Sequence, residues 1–325
     1  MKRISIIAGL VCCMGLWFCW SAQAEKLYDA AFRGDVAKVS QLLEKGADVN
    51  ARDKYQRTPL HGAAYMGNTE VAKLLIEKGA DVNARDQNQH TPLHDAAGGG
   101  RTEVARLLIE KGADVNARNA MGETPLHNAA SSNHTDVAAL LIQKGADVNA
   151  RDKYYQATPL FKAAESYLIE TTAVATLLIQ KGADMNARGG DGDTGDDGKY
   201  LQYTPLIEAI KVRNVKVAKL LIEKGADVNA RDDYQRTPLH LVAYRNYTWL
   251  VEPLIAHGAQ VNARDDLQRT PLHNAALEGN TEMAKLLIAK GADVNATAIF
   301  VTPAVAAEQT NNPGTAAVIR QAGGH

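Results

Sequence analysis

Cysteine is nearly absent from this chain of 325 residues. Its three cysteines, Cys12, Cys13 and Cys19, all lie in an N-terminal segment that ends near Ala24. If that segment is removed, the remaining chain has no thiol, so it can form neither a disulfide nor a cysteine-ligated metal site. The sequence therefore offers no basis for thiol catalysis or for a fold held together by disulfides.

Long apolar runs are also missing, except in the same N-terminal segment. Lys2 and Arg3 precede an apolar run over 4–20, and small residues follow at Ala22 and Ala24. This order predicts a secretory signal peptide that is cleaved after Ala24. An uncleaved membrane anchor is the alternative, because a run of about 17 residues is at the short end for a spanning helix. We expect the mature chain in a bacterial periplasm or outside the cell, with no membrane contact.

The expected mature chain has no strong net charge. The sequence has 36 basic and 37 acidic residues, and the predicted cleavage removes two basic ones, which leaves a net charge of −3. That balance offers no general attraction to nucleic acid. The chain also lacks a nucleophile elbow, a P-loop, a CxxC pair and an HExxH motif. We therefore predict that the protein is not an enzyme and holds no cofactor.

The chain does contain one unit many times over. The tripeptide TPL begins at 58, 91, 124, 158, 204, 237 and 270, and a degenerate copy, TPA, begins at 302. The step between starts is nearly constant, and only the step from 158 to 204 is much longer. The segment from Glu25 fits the same template without its TP. We predict one domain over 25–325, with repeats near 25–57, 58–90, 91–123, 124–157, 158–203, 204–236, 237–269 and 270–301, and a cap at 302–325.

Each unit predicts two helices and an extended turn. Thr58 suits a helix N-cap and Pro59 suits the first helical position, so a short helix is expected over 60–66. A second helix is expected over 70–78, and Gly79 suits the left-handed position that ends it. Neither helix can bury its apolar stripe alone, so the repeats must stack on one another.

The stretch TPLHGAAYMGNTEVAKLLIEKGADVNA (58–84) and its copies resemble the ankyrin repeat, over nearly all of 25–323. The resemblance implies an all-α solenoid of helix-turn-helix units with β-hairpin loops. It also implies a non-catalytic function, in which hairpin tips and first helices line a concave face that binds partner proteins.

Aromatic residues predict where that face is. Tyrosine offers a large and stiff contact area and is enriched in binding hot spots. Most tyrosines of this chain fall at hairpin tips or at the ends of first helices, where a core does not require them. The predicted protein-binding residues are Phe32, Arg33, Tyr55, Tyr65, Met66, Tyr154, Tyr155, Tyr200, Tyr203, Tyr234, Tyr244 and Arg245.

Three functions remain open from the sequence. The first is a scaffold that binds an unidentified protein through its concave face, as a monomer. The second is an inhibitor or immunity-type protein that occludes the active site of a partner enzyme. The third is a structural spacer of the cell envelope with no tight partner.

Five histidines recur at one template position and raise the question of a metal site. Packed helices lie about 8–10 Å apart, whereas zinc ligands lie about 2 Å from the ion. Neighbouring histidines are therefore too far apart to share a metal, and we predict that each bonds the backbone of its own hairpin. They are His61, His94, His127, His240 and His273.

Arginines form a second column at the starts of the hairpins. Most are followed directly by an aspartate, which predicts a set of weak surface ion pairs. The alternative is a charged stripe that orients an acidic partner. The column consists of Arg52, Arg85, Arg118, Arg151, Arg188, Arg231 and Arg264.

Two units depart from the template. The long step contains RGGDGDTGDDGKY over 188–200, which predicts a flexible acidic loop in water. A calcium loop is the alternative, but Gly195 and Asp196 do not fit EF-hand positions 5 and 6. Pro253 falls within a second helix, close to three large aromatic residues, and indicates either a drifted unit or an aromatic cluster.

Overall fold

Each TPL tripeptide starts a helix. Thr58 is extended, with φ −92° and ψ 163°, and forms a capping box with His61, while Pro59 occupies the first helical position. The helix runs Pro59–Met66 and ends at Gly67, whose φ of 80° is left-handed. The second helix of this repeat is Thr69–Glu77. The two predicted helices of the repeat are thus present, and their bounds differ only slightly from the predicted ones.

The structure is a computed structural model that describes residues 25–166, 172–194, 201–299 and 301–325. The predicted signal peptide and Tyr200 lie outside the described residues. The chain divides into two compact units, Met1–Tyr154 and Tyr155–His325. We describe each unit by itself.

The first unit is built from helices that come in pairs. They are α1 (25–33), α2 (Val36–Glu44), α3 (Pro59–Met66), α4 (Thr69–Glu77), α5 (Pro92–Gly98), α6 (Thr102–Glu110), α7 (Pro125–Ser131) and α8 (Thr135–Gln143). First helices pack on first helices and second helices on second helices, as in α3 with α5 and α4 with α6.

The second unit repeats this plan. Its helices are α9 (Pro159–Glu165), α10 (Ala173–Gln180), α11 (Pro205–Lys211), α12 (Val215–Glu223), α13 (Pro238–Arg245), α14 (Thr248–Ala256), α15 (Pro271–Leu277), α16 (Thr281–Ala289), α17 (Pro303–Gln309) and α18 (Pro313–Gln321).

The structure confirms the predicted all-α class. In the part of the chain that is described, the hairpin loops contain no strand, and the isolated bridges there include Gly189 with Tyr203 and Ala298 with Val301. No helix within that part is both long enough and apolar enough to cross a membrane.

The core of each repeat lies between its two helices and those of its neighbours. Leu60, Ala63 and Ala64 of α3 are fully buried, and so is Leu75 of α4. A buried leucine stabilises a fold by about 1.5–3 kcal/mol relative to an exposed one. Since the small alanines leave little space between helices, the first helices pack closely and their outward side chains form a regular column.

Polar side chains join consecutive hairpins. The Asn50 side-chain amide donates to Gly79 O at 3.1 Å, and its Oδ1 accepts from Asp81 N at 2.8 Å. Asn83 makes the same pair of bonds to Gly112 and Asp114. These bonds satisfy the backbone groups that end each second helix, so the joint has a defined geometry.

The proline of the seventh repeat does not break its helix. Pro253 lies inside α14, and the helix continues to Ala256. Leu250, Val251 and Leu254 remain buried on its inner side. The cost of about 3 kcal/mol for an interior proline is offset by this packing, so the repeat keeps the template fold.

Candidate protein-binding surface

In the first unit, aromatic side chains of the first helices form a stacked ladder. The ring centroids of Tyr28 and Phe32 are 6.1 Å apart, and those of Phe32 and Tyr65 are 6.4 Å apart. A Cβ at Gly62 would lie 3.2 Å from the Tyr28 ring, so glycine leaves room for the ladder there. Tyr65 is 49% exposed. The structure therefore brings the predicted residues Phe32 and Tyr65 together on one surface.

The first hairpin tip adds Tyr55 to this surface. Asp53 Oδ1 accepts from the backbone amides of Tyr55 at 2.8 Å and Arg57 at 2.9 Å, which fixes the turn. The Arg57 guanidinium lies 4.4 Å from the Tyr28 ring centre and 4.9 Å from that of Tyr55. Tyr55 remains 42% exposed. Arg57, which sequence reasoning missed, thus links the tip to the helical ladder.

Other hairpin tips carry large exposed side chains at the same template position. Tyr154 is exposed in the first unit, as predicted, and so is Met121, one repeat before it. Leu267 is exposed in the second unit, one repeat after the partly buried Tyr234. Sequence reasoning missed Met121 and Leu267 because it relied on tyrosine, although the regular repeat spacing alone identifies both positions.

An isolated carboxylate lies among the first helices of the first unit. Asp95 of α5 makes no side-chain hydrogen bond or ion pair within the described residues. Burial raises the pKa of Asp95 to about 8, the charge of Asp86 adds to the rise, and Arg57 opposes it. No sequence signal points to this group, since aspartate at a variable template position is usually solvated.

The second unit presents a separate aromatic patch. Tyr244 and Arg245 at the end of α13 are exposed, and the guanidinium lies 5.7 Å from the ring centre. In the same repeat, Tyr247 and Trp249 stack at 5.1 Å, with Arg213 5.8 Å from the Tyr247 ring centre. The repeat with Pro253 therefore does contain an aromatic cluster.

Three further predicted residues of the surface lie in different environments. Met66 and Arg33 are exposed at the ends of their helices. Tyr155 is partly buried, and its carbonyl accepts from Gly190 N at 2.8 Å. Its ring therefore has less area to offer than those of Tyr65 or Tyr244.

The prediction for Tyr203 is wrong. Its side chain is 2% exposed, and its ring packs 5.7 Å from that of Phe161. Its hydroxyl is hydrogen-bonded to the Lys211 ammonium. Tyr203 directly precedes Thr204, at the position that Arg57 and the fully buried Ala157 hold in other repeats and not at that of a hairpin tip, so its ring enters the core.

The histidine column has the structural role that was predicted. His61 Nδ1 accepts from Thr58 N at 3.1 Å, and Nε2 lies 3.1 Å from His90 O in the hairpin of the same repeat. These partners require a neutral ring with the proton on Nε2. Burial lowers the pKa of His61 to about 4 and that of His94 to about 3. Residues with the same pair of bonds are His94, His240 and His273.

The prediction of surface ion pairs holds for Arg188, which pairs with Asp233, but it is wrong for Arg52 and for the arginines that repeat its contacts. Arg52 Nη1 donates to Gln56 O at 3.1 Å and to Arg85 O of the next hairpin at 2.6 Å. The neighbouring Asp53 pairs with Arg57 instead, at 2.7 Å, because the turn brings that guanidinium around to it. The arginines therefore bridge successive hairpin backbones. The same bridge is made by Arg85, Arg118, Arg231 and Arg264.

Part of the acidic insertion is held against the protein by a lysine, while the side chain of Asp193 remains exposed. Asp191 Oδ2 and Asp193 Oδ2 each lie 3.0 Å from Lys211 Nζ. These two carboxylates, which would begin a calcium loop, therefore hold a lysine. Over the described ranges 25–166, 172–194, 201–299 and 301–325, no group of three or more His, Cys, Asp or Glu side chains is arranged to hold a metal ion.

Comparison with protein-family models identifies the family of this chain. A model of ankyrin repeats (3 copies) matches residues 27–119, 114–189, 155–232, 189–265 and 206–298. The chain therefore belongs to the ankyrin-repeat family. Ankyrin repeats are generally protein–protein interaction modules, and the family is typically non-catalytic. No curated protein matches the chain.

Proposed function

We infer that this protein is a non-catalytic scaffold that binds one partner protein through first-helix and hairpin-tip side chains. The observation that carries the proposal is the connected surface of the first unit, where Phe32, Tyr65 and Tyr55 are joined through Tyr28 and Arg57. The exposed rings of Tyr55 and Tyr65 lie outside the leucine and alanine core between α3 and α4, so their presence needs another explanation.

Binding energetics support this assignment. A tyrosine loses few rotamers when it is buried, and aromatic and arginine side chains supply most hot spots. The stacked rings and the guanidinium of Arg57 already hold one another in place. A partner would therefore meet an ordered surface and lose little side-chain entropy in binding it.

We also propose that the protein is exported and acts as a monomer. The support for export is the order of residues at the N-terminus, from Lys2 and Arg3 through the apolar run to Ala24. Intact-mass measurement of the protein recovered from the envelope fraction tests the predicted cleavage site. A mass equal to that of residues 25–325 supports cleavage after Ala24, and a mass equal to that of residues 1–325 contradicts it.

The binding proposal is tested by capture with matched variants. The native protein is the bait for an envelope extract, beside Y55S/Y65S and a control, E70S/K73S, whose side chains form an exposed ion pair on α4. We expect one protein bound in a 1:1 ratio by the native and control baits and lost by Y55S/Y65S.

The captured protein is then identified and titrated against each bait. A loss of affinity confined to Y55S/Y65S supports the aromatic surface. Equal affinity for all three baits would show that binding uses another face, and capture of nothing would favour a structural spacer. If the partner is an enzyme and loses activity in the complex, the scaffold is an inhibitor.

A further inference from the structure

Repeat seven, in the second unit, departs from the template at the turn between its two helices. At the other described junctions between repeats, a polar side chain in this turn donates to carbonyl groups that end the preceding first helix. The Asn280 amide donates in this way to Ala243 O at 3.0 Å and to Tyr244 O at 3.1 Å. The same kind of bridge is made by Asn68, Arg101, His134, Asn214 and Asn312. Repeat seven has Tyr247 at this position, and its ring stacks on Trp249 instead.

Trp249 occupies a position that is acidic in most other repeats. It lies in the first turn of α14 and is 41% exposed, whereas Tyr247, which it stacks on, is only 9% exposed. The corresponding residues of other repeats are Glu70, Glu103, Asp136, Lys216 and Glu282. An exposed indole and, one repeat before it, a lysine therefore stand where the template has carboxylates. The surface of repeats six and seven gains apolar area and loses negative charge.

Arg213 occupies a position that the template gives to glycine or asparagine. Its φ of 61° is left-handed, a conformation that glycine and asparagine adopt at lower cost than arginine. The corresponding residues are Gly67, Gly100, Asn133, Asn246 and Gly279. An unfavourable backbone conformation that persists indicates a role for the side chain. The guanidinium of Arg213 lies 5.8 Å from the ring centre of Tyr247 and 6.0 Å from that of Trp249.

Two guanidinium groups of these turns have no anionic partner. Neither Arg213 nor Arg245 makes a side-chain hydrogen bond or an ion pair with a described residue, and both are exposed. Each lies near aromatic rings, which limit its movement. A guanidinium can bind a carboxylate through two parallel hydrogen bonds. In repeat eight the residue that corresponds to Arg245 is Glu278, so this positive charge is confined to repeats six and seven.

We propose that Arg213, Arg245, Tyr247 and Trp249, which we name the turn patch, bind an acidic peptide segment of a partner protein. Carboxylates of the segment pair with the two guanidinium groups, and the exposed face of Trp249 contacts its aliphatic carbons. The near-neutral chain offers no general attraction to a long polyanion, whereas a short acidic segment needs only this local charge. The turn patch contains none of the aromatic residues of the first unit, so it does not depend on the function proposed above.

Trp249 allows binding to be measured at the turn patch itself. The chain has three tryptophans, and the other two, Trp17 and Trp20, lie in the predicted signal peptide. The substitutions W17F/W20F in the full chain leave Trp249 as the only indole. Hexaglutamate is the probe, and hexaglutamine is its uncharged control. We expect hexaglutamate to change the Trp249 emission in a saturable way, with an affinity that falls as salt is added, and hexaglutamine to leave the emission unchanged.

Two further variants of this chain each remove one guanidinium and restore a template residue. R213N introduces the asparagine that repeats four and seven have at the left-handed position, and R245M introduces the methionine of repeat two. Each should raise the half-saturating concentration of hexaglutamate by about threefold or more. K219M, which removes an exposed charge from α12, is the matched control and should bind hexaglutamate like the native chain.

Thermal melting separates binding from a purely structural role of Arg213. R213N should keep the native melting midpoint or raise it, because asparagine tolerates the left-handed conformation better than arginine. An arginine that only stabilised the stack of Tyr247 on Trp249 would lower the midpoint when removed. A lower midpoint combined with native affinity for hexaglutamate would therefore overturn the proposal.

Three binding results would also overturn it. The first is an unchanged Trp249 emission up to about 10 mM hexaglutamate. The second is native affinity in both R213N and R245M. The third is a change of emission with phosphatidylglycerol vesicles but not with hexaglutamate, which would assign the turn patch to a membrane surface. Because Y55S/Y65S leaves the turn patch intact, failure of this proposal leaves the capture experiment valid, and a failed capture leaves this proposal standing.

Discussion

The buried histidines should make the first unit sensitive to acid, and His94 allows a quantitative test. His94 is fully buried, and burial lowers its pKa to about 3, against an ordinary value of 6.5. Between these values the unfolded chain binds a proton that the folded chain does not. The contribution of His94 to stability is therefore complete above pH 6.5 and falls by about 1.4 kcal/mol per pH unit as the pH drops towards 3.

Other groups add to or oppose this slope. His61 contributes in the same direction down to about pH 4. Asp95, with its pKa raised to about 8, contributes in the opposite direction, because its folded form keeps a proton that the unfolded form releases. The difference between the native chain and H94Q removes these shared contributions. From about pH 6.5 to about pH 5 the native chain should lose about 2 kcal/mol more than H94Q.

Urea denaturation followed by far-ultraviolet circular dichroism measures the loss of unfolding free energy in the native chain and in H94Q. H94Q is less stable than the native chain at every pH, since it lacks the bonds to Thr91 and Glu123, but only the slope is compared. H257Q, an exposed change in the second unit, is the matched control and should keep the native slope. Equal slopes for the native chain and H94Q would mean that His94 is charged in the folded chain, and the capping geometry of the histidine column would then be wrong.

Three further predictions concern the scaffold. Leu75→Ala should lower the free energy of unfolding by about 2–5 kcal/mol, as a buried large-to-small change, and Tyr55→Ala by less than about 0.5 kcal/mol; similar losses in urea would mean that the exposed face is misassigned. Arg85→Ala should cost about 1–3 kcal/mol by removing a charged bridge between hairpins, whereas Arg106→Ala, which loses an exposed ion pair on α6, should cost at most about 1 kcal/mol. Millimolar calcium should leave the melting midpoint unchanged, because Asp191 and Asp193 hold a lysine; an upward shift would reveal binding to the native state.

The helical fold follows from local signals that the chain repeats. A threonine and proline at 58–59 define a helix start, Gly79 follows the helix end, and the regular spacing of the repeats places the next copy beside them. Exposure of Tyr65 followed from the same template. These features are predictable because each depends on residues within one repeat.

The errors have one physical origin, which is contact between residues distant in sequence. The arginine at 52 is adjacent to an aspartate, yet its hydrogen bond reaches the carbonyl of Arg85 in the next hairpin. Tyr203 is predicted as a tip residue, but it directly precedes Thr204, and its ring packs against Phe161 in the core. Lys211 and Asp191 lie 20 residues apart, in α11 and in the acidic insertion, and meet only in the folded chain. No local pattern encodes such pairs.

The arginine bridges have a consequence for how this surface can change. Each of these guanidinium bridges binds main-chain carbonyls, and the bridge at Arg118 forms with Gly122 at the place where Arg52 uses Gln56. The geometry of this joint therefore does not depend on which side chains the hairpin displays. Tips can exchange tyrosine for methionine, as at Tyr55 and Met121, without altering the spacing of the repeats. The displayed side chains and the architecture are thus encoded in separate atoms of the same loop, so the surface can change without redesign of the repeat stack.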